Sequence, residues 1–216
     1  MLERMADFFE ARLAGYDTHM LTNIADARVF YPATAARLPQ WEGAEILDLG
    51  CGTGLELEFY FEKNPGAIVT GIDLSAGMLR ALEKKFPGNY LKLICDSYFR
   101  VPMGCNLYDA AVSVESLHHF TQEAKTGLYR KLYEALKEMG YFLLTDYFAL
   151  SEEEERHWFQ ELARIKTEEG ITDEEFYHFD TPLTVEHEIQ ALTAAGFRRI
   201  EVLDAWGATH MLQAWR

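Results

Sequence analysis

The sequence predicts an α/β protein: a doubly wound, seven-stranded, mostly parallel sheet that ends in an antiparallel hairpin. Three observations carry this. Short apolar runs alternate with amphipathic stretches from Glu45 to Thr145, the pattern of parallel βαβ units. A glycine-rich turn, Gly50 to Gly54, joins the first apolar run to the first amphipathic stretch. Two strand-like runs at the end, Arg198–Ala205 and Thr209–Trp215, flank Gly207 as the arms of a hairpin.

The elements follow in order. Residues 1–40 read as a helical cap, with Met5, Phe8, Phe9, Arg12 and Leu13 at helical spacing, an interruption at Gly15-Tyr16-Asp17, and breaks at Pro32 and Pro39. Glu45–Leu49 is the first strand, Ala67–Asp73 the second, Tyr90–Cys95 the third, Ala110–Val114 the fourth and Tyr141–Thr145 the fifth. Ser75 is placed to cap a helix whose inner face carries Met78, Leu79, Leu82 and Phe86. Thr121 is expected to cap the next, with Leu128, Leu132 and Leu136 inward and Gly140 at its end. The pattern then changes. Residues 148–183 read as a helical insertion after the fifth strand: Ser151 and Glu154 form a capping box, Trp158, Leu162 and Ile165 recur at i, i+4 and i+7, and Thr172 and Glu175 repeat the capping pattern. Val185–Ala195, closed by Gly196, is the last helix.

The 216 residues, 49% of them apolar, suit one domain with a substantial core. The net charge of −15 repels phosphate backbones and weighs against a nucleic-acid substrate. Cys51, Cys95 and Cys105 have neither disulfide nor zinc-site spacing. The N-terminus does not read as a signal peptide, and no apolar run approaches the ~20 residues of a membrane span. The expected location is the cytoplasm.

A glycine turn between a strand and its helix lets a ligand touch the backbone, and the free N–H groups at the helix start suit an anion. Asp73 ends the second strand 19 residues after Gly54, where a carboxylate can accept both hydrogen bonds of a ribose diol. These features alone fit a nicotinamide dinucleotide as well as other nucleosides. The glycines at 50, 52 and 54, however, give G-x-G-x-G and not the dinucleotide spacing.

The run EILDLGCGTG, Glu45 to Gly54, resembles the first motif of the class I, Rossmann-like methyltransferases that use S-adenosylmethionine (SAM), and GIDLSAGML, Gly71 to Leu79, resembles the second. Asp96 in CDSY, the stretch from Tyr108 through Ser116-Leu117-His118-His119-Phe120, the strand from Gly140 to Asp146 and the terminal hairpin also match, so the resemblance covers roughly Phe8 to Arg216 apart from the insertion. It implies that Gly50, Cys51, Gly52, Thr53 and Gly54 wrap the methionine end of SAM, with Asp48 supporting the loop and the amino group. It implies Asp73 at the ribose, Leu74 and Met78 near the adenine, Asp96, Ser97 and Tyr98 at the adenine edge, and Glu115 beside the cofactor. Phe9 to Asp17 resembles the family's opening segment, which places Tyr16 over SAM.

In such chemistry the cofactor carries the reactive methyl group, and the protein supplies alignment and exclusion of water. His118 and His119 are the candidates for a general base; the alternative is that they hydrogen-bond loop backbone. Without a carboxylate or cysteine at ligand spacing they make a poor metal site, and no metal is expected. Tyr147, Tyr177 and His178 join the candidate acceptor pocket. The insertion is expected to be a substrate lid, or a face packed on the core or in a homodimer. The expected function is methyl transfer from SAM to a small molecule. The alternatives are a SAM-binding regulatory protein without catalysis, a tRNA or protein methyltransferase, and an NAD-dependent oxidoreductase.

Overall fold

The computed structural model describes residues 1–172 and 175–216. Its seven-stranded sheet has the order β3-β2-β1-β4-β5-β7-β6. The strands are β1 (Glu45–Leu49), β2 (Ile68–Asp73), β3 (Tyr90–Cys95), β4 (Tyr108–Val114), β5 (Leu136–Tyr147), β6 (Arg199–Trp206) and β7 (Thr209–Trp215). Neighbours from β3 to β5 pair in parallel, whereas β7 lies antiparallel between β5 and β6. The strand order reverses between β1 and β4, and a crevice at the carboxyl ends of the strands beside such a switch is where this architecture binds ligands.

The central strands β1, β2 and β4 are buried on both faces, as the interior of a parallel sheet requires, whereas the edge strands β3 and β6 are partly exposed. Leu47 and Leu49 point to one face, into a core with α6 (Gln122–Ala135) and α8 (Val185–Ala195). Ile46 and Val69 point to the other, against α3 (Ala27–Arg37), α4 (Leu55–Lys63) and α5 (Ala76–Lys85). Each fully buried leucine contributes about 2 kcal/mol relative to an exposed one. Lys125 Nζ lies 2.6 Å from Glu188 Oε2, both buried, which ties α6 to α8; the Tyr129 hydroxyl donates to the same carboxylate.

Three of the expected caps are made. Ser75 Oγ accepts from Met78 N, Thr121 Oγ1 from Ala124 N, and Ser151 Oγ from Glu154 N. The Glu154 carboxylate reaches back one residue further than a capping box requires, to Leu150 N. Pro32 does not break its helix but sits inside α3. Phe30, Tyr31 and Ala35 are buried there, and that packing outweighs the one backbone bond proline cannot donate. Gly140 does not end α6. The helix stops at Ala135, Leu136 starts β5, and the chain bulges through Met139 (φ +71°) before pairing with β4 resumes at Tyr141. A Cβ on Gly140 would sit 2.9 Å from Lys137 O, so the glycine serves the bulge.

At the N-terminus, α1 (Met5–Arg12) passes through a tight turn at Leu13–Gly15 into α2 (Tyr16–Asn23), so Tyr16 opens a helix where an interruption was expected. In the insertion, α7 (Glu152–Glu169) has no fully buried residue; Trp158, Phe159, Leu162 and Ile165 are half-buried. The second expected cap, Thr172 to Glu175, spans Asp173 and Glu174, which lie outside the described residues. Residues 175–184 form no helix. Tyr177 instead bridges to Arg4, Met5 N donates to Phe176 O, and His178 N donates to Glu3 O. The end of the insertion is thereby joined to the start of α1.

Candidate active site

The glycine turn folds back on β2, with Gly50 N and Cys51 N both donating to Ile72 O. Gly50 has φ +71°, and a Cβ there would overlap the side chain of Ser116, so this position is restricted to glycine. Asp73 holds the turn from the end of β2. Its Oδ2 accepts from Gly52 N at 2.9 Å and its Oδ1 from Ser75 N at 2.8 Å. Burial raises the Asp73 pKa against these donors.

Beneath the turn, the buried carboxyl groups of Asp48 and Glu56 meet, and burial pushes both pKa values up. Each keeps one oxygen without a partner among the described residues, Asp48 Oδ2 and Glu56 Oε1. Two adjacent buried carboxyls without a cation between them share a proton. Glu56 was not singled out from the sequence, although its place in the first turn of α4 suits an acid.

A narrow cavity of about 40 Å³ lies over the turn. Of the expected cofactor residues, Tyr16, Gly50, Gly52, Asp73, Met78 and Glu115 line it, joined by Met5, Phe9, Ser116 and His119. The other expected residues stand outside its wall. Cys51 is buried against Gly71. Thr53 donates its hydroxyl to Asp17, whose carboxylate also holds Lys85 at 2.8 Å. Gly54 is the cap residue before α4, and Leu74 is half-buried on the core. Asp96 is paired with Arg100 at 2.6 Å, while Ser97 is buried with its Oγ accepting from Phe99 N. The Tyr98 hydroxyl donates to Ser116 O.

Such a volume holds only a few waters. A nucleoside needs the cap to move, and α1 is latched over the site by Glu10. The carboxylate of Glu10 accepts from Ser75 Oγ at 2.7 Å and Gly77 N at 2.8 Å, at the start of α5. No local sequence signal marks Glu10, because its partners are 65 and 67 residues away.

Beside the narrow cavity opens a cleft of about 1000 Å³. Its floor carries Glu115, His118, His119, His178 and Asp180; Phe8, Phe9, Tyr16, Tyr147 and Trp206 form aromatic walls. The two histidines differ in environment. His118 Nδ1 lies 2.6 Å from Asp146 Oδ1, and the pair is buried. Burial opposes the imidazolium, but Asp146 outweighs it and raises the His118 pKa to about 9. His119 Nδ1 faces Phe179 O and Asp180 Oδ1, each at 3.2 Å. Burial and the charge on His118 hold the His119 pKa below the usual imidazole value. The lowered pKa favours the neutral ring, and two oxygens facing Nδ1 favour the tautomer with its proton there and the lone pair on Nε2. Glu115, in a left-handed conformation at φ +49°, accepts from Thr209 Oγ1, and burial pushes its pKa up to about 7.

Contrary to the expectation from sequence, carboxylates do stand beside the histidines. The nearest donor atoms of His118, His119 and Asp180 lie within 4.8 Å of one another. The donor set still suits a metal poorly: the His119 nitrogen facing Asp180 also faces a carbonyl oxygen, so it carries a proton and offers no lone pair. Tyr177 is drawn to Arg4 and does not line the cleft, whereas Tyr147 and His178 do.

Residues 46–140 match the family described as a methyltransferase domain. The chain is 28% identical over 170 residues to a phosphoethanolamine N-methyltransferase of Plasmodium falciparum, covering 76% of this chain and 59% of that protein. It is 32% identical over 102 residues to a malonyl-[acyl-carrier protein] O-methyltransferase of Priestia megaterium, covering 47% and 36%. It thus spans less than two thirds of the length of these relatives. A candidate O-methyltransferase from Nostoc punctiforme superposes with a TM-score of 0.73 at 19% identity, over 100% of this chain and 62% of that one, which is a likeness of fold. Sheet order, glycine turn and relatives agree in supporting a class I, Rossmann-like methyltransferase of the SAM-dependent type, with residues 46–140 matching the family's domain.

Proposed function

We propose that this protein transfers a methyl group from SAM to a small-molecule acceptor, with His119 as general base. The observation that carries the reading is that His119 and Glu115 line both the narrow cavity over the glycine turn and the large cleft beside it. A cofactor in the first and an acceptor in the second would meet at these side chains.

The residues present fit SAM. Gly52 presents no Cβ to the cavity, Asp73 stands at its edge, and the unpartnered oxygens of Asp48 and Glu56 place spare acceptor capacity beneath the turn. Gly50 and Gly52 would hold the methionine end, Asp73 the ribose, Leu74 and Met78 the adenine face, and Asp96 with Ser97 and Tyr98 its edge. Tyr16 would close the site against water. Bound SAM supplies an electrophilic methyl on a sulfonium. This chain's own residues align the acceptor and accept its proton at His119 Nε2. His118, fixed by Asp146, keeps His119 neutral.

The relatives include both N- and O-methyltransferases, so family membership alone leaves the acceptor atom open. The net charge of −15 supports a small acceptor over a nucleic acid. The chain would act as one domain, with residues 175–180 of the insertion completing the acceptor cleft. No helix among the described residues is long and apolar enough to cross a membrane.

The test is incubation with methyl-labelled SAM and a panel of small amines, alcohols, phenols and carboxylic acids, with product read by mass spectrometry and cofactor affinity by calorimetry against NADH. Labelled product is the expected result. Micromolar SAM affinity without any methylated product would move the non-catalytic binder to first place, and binding of NADH alone would overturn the cofactor.

A further inference from the structure

At and just beneath the floor of the cleft, negative charge exceeds positive, and among the described lining residues only Arg12 adds a cation. Asp146 and Asp180 face a single imidazolium, His118. Although burial opposes it, His119 and His118 keep Asp180 below the usual carboxylate range, so it stays ionised. His119 and His178 are neutral; burial, then His119, holds His178 down at about 4. Glu115 adds further negative charge as it ionises. Arg12 is the one Lys or Arg among the described lining residues, and it is already engaged: it makes two bonds to Glu3, at 3.0 and 3.1 Å, and stacks 3.6 Å above the ring of Phe8. An acceptor bearing a carboxylate or phosphate would find no free cation here.

An ammonium would find a partner. Asp180 makes both of its close contacts through Oδ1, to His119 at 3.2 Å and His118 at 3.6 Å, and its side chain remains 52% exposed in the cleft. The aromatic walls suit both an apolar body and a cation, since ring faces attract positive charge.

We propose that the acceptor is an amine with an aromatic or alkyl body, bound as its ammonium by Asp180 and methylated on that nitrogen. This rests on the methyl-transfer reading above and names its substrate class. The ammonium gives one proton to His119 Nε2, which frees the nitrogen lone pair. That pair forms the N–C bond to the methyl carbon as the C–S bond breaks, with the electrons of that bond staying on sulfur. The product leaves as an N-methylammonium and S-adenosylhomocysteine, and His119 returns its proton to water.

The experiment is a titration of the full chain, saturated with S-adenosylhomocysteine, with phenethylamine, 2-phenylethanol and 3-phenylpropanoate. The amine should bind at least tenfold more tightly than the alcohol, and the carboxylate most weakly. Asp180→Asn should remove the preference for the amine, leaving affinity for the alcohol within twofold and affinity for S-adenosylhomocysteine unchanged. Equal binding of amine and alcohol, a preference for the carboxylate, an unaltered preference in Asp180→Asn, or no binding of any of the three would each overturn the proposal. Failure to bind S-adenosylhomocysteine in the first step would instead overturn the methyl-transfer reading.

Discussion

His118 Nδ1 and Asp146 Oδ1 lie 2.6 Å apart with both side chains buried, which makes a buried ion pair the anchor of the loop that carries His118 and His119. Asp146 also accepts from Leu117 N and Tyr147 N, so one carboxylate fixes the loop before the histidines and the end of β5 together.

This pair makes stability depend on pH. The folded-state pKa of His118, about 9, lies above the ordinary value of 6.5. Its contribution is thus complete below about pH 6.5 and lost as pH rises through about 9. That shift corresponds to a contribution on the order of 3 kcal/mol. Melting temperature should fall by roughly 6 °C or more between pH 6.5 and 9.5 from this pair. His118→Gln should melt lower at pH 6.5 and lose most of that slope. Parallel slopes in both proteins would show that His118 is not charged in the fold.

His119→Gln is expected to lower kcat by about 10²- to 10⁴-fold, the usual worth of a general base, with SAM affinity within threefold of the parent. The depressed pKa of His119 keeps the base unprotonated above about pH 6.5, so the acid limb of the kcat profile should lie below that point. A loss of less than threefold, measured with any acceptor that turns over, would remove His119 from proton transfer.

Glu115 gives a separate pH signature. Its pKa of about 7 means that the carboxyl is half ionised near neutrality, and a sulfonium beside it would favour the carboxylate. SAM should therefore bind about fivefold or more tightly at pH 8 than at pH 6, relative to S-adenosylhomocysteine, whose sulfur is uncharged. Glu115→Gln should flatten the ratio. A ratio independent of pH in the parent protein would mean that the cofactor's sulfur lies away from Glu115.

What could be read from the sequence was local, and what could not was distant. Ser75, Thr121 and Ser151 declare their helices because each caps a backbone N–H three residues on. The bounds of β1, β3 and α8 were equally legible from apolar period and flanking residues. Gly140 misled because a helix-ending glycine and a bulge glycine look alike until the strand pairing is known. Within the site, the glycine turn and Asp73 were legible as a motif. Glu10, Asp146 and Asp180 were not, since their partners are brought to them by tertiary contacts tens of residues away.

Chelation offers a check on the histidine cluster. His118 Nδ1 is taken by Asp146 and His119 Nδ1 faces a carbonyl oxygen, so the cluster is complete as a hydrogen-bonded network. Overnight treatment with EDTA followed by desalting should leave turnover and melting temperature unchanged. Activity that falls with EDTA and returns on adding Zn²⁺ or Mn²⁺ would show instead that the ring of His119 turns to offer a lone pair.

The cap must open for a cofactor to enter, and its latches are specific. Glu10 bonds the start of α5, and Asp17 joins Thr53 of the glycine turn to Lys85. Both carboxylates act on elements that themselves flank the cofactor cavity, so loosening them should change how fast the site opens more than how well it binds. The end of the insertion is joined to the same helix through Phe176 and His178, and Phe8 stacks on His178 at 3.5 Å, so opening the cap also disturbs the large cleft beside it. Glu10→Gln combined with Asp17→Asn should raise the SAM association rate at least threefold in stopped-flow fluorescence and increase proteolysis within residues 1–23. The KM for the acceptor should rise with it. An unchanged association rate, with proteolysis confined elsewhere, would show that SAM enters without lifting α1 and α2.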